Sequence, residues 1–181
     1  MWNRNANAGM AGTFFLAALM FSIAGWGQPP DVRYQVDAAR NRVWTLNRDG
    51  VFLHDRGTPE KIVAVQLPGW QWAGSPYGCL PDLALGPRGE AVITSDVVPT
   101  LWRIDPDTLS VSVHPLALDA DADRDVGFSS LVYSAEQGAY FAVSAMHRSL
   151  WRIDPLLRTA RKIPLTAPVP KNLRTASCKT L

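Results

Sequence analysis

The sequence predicts an all-β fold of the β-propeller type, with three four-stranded antiparallel blades present. Two observations carry that expectation. The hexapeptide Leu101-Trp102-Arg103-Ile104-Asp105-Pro106 recurs at Leu150 to Pro155, an offset of 151 − 102 = 49 residues. A period near fifty, made of short β-type runs separated by turn signals, marks stacked supersecondary units of the propeller blade type. The alternative reading of the same repeat is a β-sandwich carrying a recent duplication.

The unit extends on both sides of the hexapeptide. Asp82-Leu-Ala-Leu-Gly-Pro-Arg-Gly-Glu-Ala-Val-Ile-Thr-Ser95 precedes the first copy, and Ser130 to Ser144 precedes the second with one residue inserted. A divergent third copy lies earlier, Tyr34 to Leu46 followed by Val51 to Asp55, so that Asp55, Asp105 and Asp154 are spaced 50 and 49 residues apart. In the middle copy the strands fall at about Asp82–Leu85, Ala91–Ser95, Thr100–Ile104 and Ser110–His114, rich in residues that suit a pleated surface. Gly86-Pro87-Arg88-Gly89 and Asp105-Pro106-Asp107-Thr108 are the turns between them. The blades thus occupy about 32–67, 82–114 and 129–164 within a repeat region of 25–165, and 166–181 is a polar, basic tail.

Alternation within a strand places Trp102 and Ile104 on one face of the blade and Leu101 and Arg103 on the other. Both faces of a blade meet neighbours, so Trp102 and Trp151 are expected in the cores between blades.

Residues 1–24 have the form of a secretory signal peptide. Arg4 is the one charged side chain, Met10 to Ala24 is apolar, and Ser22-Ile23-Ala24 offers small residues for cleavage after Ala24. The 15-residue run is short for a membrane span, the alternative being an uncleaved anchor. Cleavage leaves 181 − 24 = 157 residues, enough for one domain with a core, secreted or periplasmic. A formal charge of +2 and 19% charged residues argue against nucleic acid, an anionic membrane or disorder.

Strand parity gathers the long connections at one end of the molecule. Trp70, Trp72 and Tyr77, the acidic run Asp119 to Asp125, the stretch Asp96 to Pro99 and the stretch Ala145 to Ser149 share that rim, while the other end has only tight turns. Binding residues concentrate on loops held by a rigid scaffold. Trp70, Trp72, Tyr77, Asp96 and His147 are therefore the candidate ligand-binding residues. Trp70 and Trp72 flank one residue and, in an extended connector, face the same side. They form either a ligand platform or a packing contact on the blades.

Blade two opens on the run Pro81-Asp82-Leu-Ala-Leu-Gly-Pro-Arg-Gly-Glu-Ala-Val-Ile-Thr-Ser, followed by Leu-Trp-Arg-Ile-Asp-Pro. That blade pattern resembles the gluconolactonase, strictosidine-synthase-like and NHL-repeat propellers, and it covers all three repeats. The resemblance implies the fold, and ring closure with six blades. It also leaves a choice between hydrolase, synthase and binding protein. In the gluconolactonase-like enzymes a divalent metal sits in the central channel, and Asp82 stands at such a ligand position. The family's acidic ligand near the start of blade one has no match, because Val32, Arg33 and Tyr34 stand there. Its asparagines have no match either.

Asp119, Asp121, Asp123 and Asp125 alternate as in a calcium loop, yet Arg124 and Ser130 stand where an EF-hand needs Gly and Glu. Calcium is the one cofactor these residues suggest, and a solvated acidic loop is the alternative. Ser130, His147 and nearby aspartates lack a nucleophile elbow, which argues against a triad.

The functional expectation is an exported, non-catalytic propeller that binds a partner or small ligand through its long-loop rim. The alternative is a metal-dependent lactonase or esterase-like hydrolase. Three blades are fewer than a closed ring takes, so the chain is expected to be a truncated propeller or to pair into a homodimer of six blades. Cys79 and Cys178 hold equivalent places two blades apart, 178 − 79 = 99 residues, and are expected to remain unbridged unless the tail folds back.

Overall fold

The computed structural model describes residues 32–73, 79–119 and 126–165. The signal-like segment, Tyr77, the aspartates at 121, 123 and 125, and the tail 166–181 lie outside the described residues. Among the described residues there are strands and no helix, hence none long and apolar enough to cross a membrane.

Blade one is β1 (Arg33–Asp37), β2 (Arg42–Asn47), β3 (Gly50–Asp55) and β4 (Thr58–Val65). Blade two is β5 (Leu83–Leu85), β6 (Ala91–Thr94), β7 (Thr100–Ile104) and β8 (Val111–Pro115). A short β9 (Ala117–Leu118) follows, and blade three is β10 (Ser130–Ser134), β11 (Ala139–Ser144), β12 (Ser149–Ile153) and β13 (Thr159–Ile163). Within each blade the strands lie side by side in chain order and run antiparallel. The innermost strand of blade two, β5, lies against both β1 and β10.

The repeated hexapeptide supplies both core and turn. Asp105 Oδ1 accepts the N–H groups of Asp107 at 3.0 Å and Thr108 at 2.8 Å, which closes the turn from β7 to β8. Hydrogen bonds from the N–H groups of Thr108 and Asp107 hold the Asp105 carboxyl below the usual carboxylate range. Asp154 repeats the arrangement with the N–H groups of Leu156 and Arg158. Leu109 and Leu157 adopt left-handed backbone conformations, φ 56° and 57°, at the corresponding turns.

Alternation then sorts the side chains into two cores. Trp44, Leu46 and Leu53 of blade one pack against Leu83, Ile93, Trp102 and Ile104 of blade two. On the other face of blade two, Ala84, Val92 and Leu101 pack against Leu131, Tyr140, Trp151 and Ile153. Trp102 and Trp151 are both buried, as expected for inter-blade residues. Trp102 Nε1 donates to the Pro68 carbonyl at 2.8 Å, and Trp151 Nε1 to Ser149 Oγ at 2.7 Å, so neither indole leaves a buried donor unmet.

The third sheet gains a fifth strand that the repeat does not encode. β9 follows blade two but pairs in parallel with β13, Thr159 opposite Ala117 and Ala160 opposite Leu118. Asp119 extends the contact by accepting the Lys162 N–H at 2.9 Å. The pairing covers part of an outer strand whose backbone groups would otherwise stand open.

Cys79 corrects one expectation. It is buried and disulfide-bonded, whereas its place in the repeat suggests a free thiol. Position in the repeat fixes where a strand begins, but not whether a nearby thiol is bridged. The chain's other cysteine, Cys178, lies outside the described residues.

Candidate functional site

Long connections gather at one rim, as strand parity requires. That rim holds the β6–β7 loop from Ser95, the connector bearing Trp70 and Trp72, the β11–β12 loop with His147, and the exit from β13.

Trp70 packs against the core between blades one and two and donates its Nε1–H to the Thr94 carbonyl at 3.0 Å. Trp72 meets it edge to face, ring centres 6.2 Å apart. The pair is thus rooted in the core through Trp70, and Trp72 is half-buried.

Asp96 behaves differently from an open ligand-binding acid. It is 4% exposed, and its carboxylate accepts no hydrogen bond from another described residue. Desolvation raises its pKa to about 6. The loop is clamped from the next connector: the Phe128 N–H donates to the Ser95 carbonyl at 2.6 Å, and Gly127 lies directly against the Asp96 backbone. His147 is exposed, and its N–H reaches Ser144 Oγ at 3.5 Å.

Asp82 stands where the inner edges of three blades meet. Its Oδ2 accepts the Leu131 N–H at 2.8 Å, and its Oδ1 lies 3.8 Å from Arg33 Nε. Arg33 opens β1, Asp82 immediately precedes β5, and Leu131 is the second residue of β10. One carboxylate therefore ties together the starts of three innermost strands. Burial pushes the Asp82 carboxyl up from its ordinary value, opposed by the backbone N–H groups and by Arg33. The described part of the acidic run, Asp119, is engaged with β13. Among the described residues no group of three or more His, Cys, Asp or Glu side chains could hold a metal ion.

Another feature of the rim has no distinctive signal in the sequence. A cleft of about 390 Å³ is lined by Arg148, Ser149, Lys162, Ile163, Pro164 and Leu165. It joins the β11–β12 loop to the end of β13, and Lys162 Nζ also lies 5.9 Å from the Trp151 ring centre. Two cations near a short apolar run occur in many chains, and only the fold brings these together.

No protein-family model matches the chain, and no curated protein matches it. Among solved structures it is similar to a streptogramin B lyase, with 16% identity and a TM-score of 0.56 over 75% of this chain and 41% of that one. It is also similar to dihydro-heme d1 dehydrogenase NirN in complex with DHE, with 17% identity and a TM-score of 0.55 over 75% of this chain and 28% of that one. Both are β-propeller proteins. The chain is therefore an all-β partial propeller, and it spans under half the length of either neighbour. At such identities the likeness carries the fold alone.

Proposed function

We propose that this chain is an exported, non-catalytic propeller repeat protein, akin to the gluconolactonase, strictosidine-synthase-like and NHL-repeat families, that binds a small ligand or partner at its long-loop rim. The observation that carries the reading is the cleft beside the β11–β12 loop. It combines an apolar wall, Ile163 to Leu165, with the cationic side chains of Arg148 and Lys162. Pockets of a few hundred cubic ångströms with apolar walls and a few polar groups suit small molecules. An anionic group on an otherwise apolar molecule matches this lining.

The metal-dependent hydrolase reading depends on Asp82 as a channel ligand. Its carboxylate is already engaged by a backbone N–H and faces a guanidinium, which repels a second cation. Thermal-shift screening against small carboxylates and sulfonates, with Arg148→Ala as the comparison, tests the binding reading. A stabilising ligand whose effect is lost in Arg148→Ala is expected. Calcium-dependent turnover of a lactone or ester, abolished in Asp82→Asn, would replace it with the hydrolase.

A further inference from the structure

The two outer sheets present faces that match the faces buried between blades. In blade three, Val132, Phe141 and Arg152 stand in one cross-strand row, and Val143 and Leu150 in the next. Val132 is 58% and Val143 39% exposed. The repeat equivalents of Phe141 and Leu150 in blade two, 49 residues back, are Val92 and Leu101, and both are fully buried against blade three. Blade three therefore repeats a face that blade two uses for packing.

Blade one presents the reciprocal face. Tyr34, Thr45 and Phe52 form one row, and Val36, Val43, His54 and Ile62 the next. Tyr34 and Ile62 are each 60% exposed. Phe52 stands 102 − 52 = 50 residues before Trp102, which itself precedes Trp151 by 49. Phe52 thus holds the position whose tryptophans fill the two internal cores. The front of blade three and the rear of blade one are the two halves of an interface that the chain already makes twice.

We propose that these two faces are the contact surface for a second copy of this chain, the front of blade three on each copy meeting the rear of blade one on the other. A twofold arrangement satisfies both contacts at once. The argument is continuity with the established blade interfaces, in which large apolar residues of one face meet those of the next. The surface is separate from the rim, and the inference does not rest on the ligand-binding reading.

Light scattering on the purified full chain at low micromolar concentration tests it. A dimer mass is expected, converted to monomer by Val132→Lys on the front face and equally by Val36→Lys on the rear. Leu156→Lys, at an exposed tight turn, leaves the dimer intact. Near-UV circular dichroism reports whether each variant is folded, and Val143→Lys serves on the front face if Val132→Lys is not. A monomer in the unsubstituted chain, a mass that grows with concentration without a plateau, or a dimer that survives either folded face variant overturns the proposal.

Discussion

Replacing Asp96 by Asn tests a buried carboxyl that the structure leaves without a hydrogen-bond donor among the described residues. The carboxyl is 4% exposed and accepts no hydrogen bond from another described residue, so ionisation is opposed by lost hydration with little in return. Its pKa rises from 3.8 to about 6. Each unit corresponds to about 1.36 kcal/mol, so the ionised form destabilises the fold by about 1–3 kcal/mol at neutral pH. The folded pKa lies above the unfolded value. This group's relative stabilisation is therefore fully present below about pH 4, declines as pH rises towards 6, and is gone above about pH 7. Asn keeps the shape and removes the titration. Urea unfolding of both proteins from pH 4 to 8 is expected to show Asp96→Asn gaining on the parent as pH rises, by about 1–3 kcal/mol in total. A stability difference that stays constant over this range, or one that favours the parent increasingly towards neutral pH, would overturn this account.

Three further outcomes follow from packing and covalent structure. Trp151→Ala should cost about 3–5 kcal/mol in denaturant unfolding, because the indole is wholly buried between blades two and three and meets Phe128 edge to face; a loss under about 1 kcal/mol contradicts the inter-blade core. Gly127→Ala places a methyl group into the Asp96 backbone, and a loss of about 1–3 kcal/mol is expected from the forced shift, read from the same unfolding curves. Thiol titration of the unreduced, denatured chain should find Cys79 unreactive, and reduction should lower the melting temperature; a freely titrating Cys79 would show that the disulfide does not form.

Much of the architecture is legible in the residues because it is local and periodic. The repeated Leu-Trp-Arg-Ile-Asp-Pro states a strand whose alternate residues face opposite blades, followed by a turn closed by its own aspartate. The observed strands of blade two differ from those expected by at most one residue at the ends. The site is less legible. Spacing alone singles out Trp70 and Trp72, but whether such rings meet a ligand or the core depends on the path of the connector.

The blade, its period and the division of its side chains between two faces are all written in the linear pattern, because a strand alternates with a period of two wherever it is placed. How one blade acts on another is a matter of packing. Packing set Asp82 between Arg33 and Leu131, carried β9 across to β13, buried Asp96 beneath Gly127 and joined Arg148 to the end of β13 in a cleft. Each of these is a contact between distant segments, fixed by the angle between sheets and the course of the loops, and neither quantity is contained in the local pattern of residues.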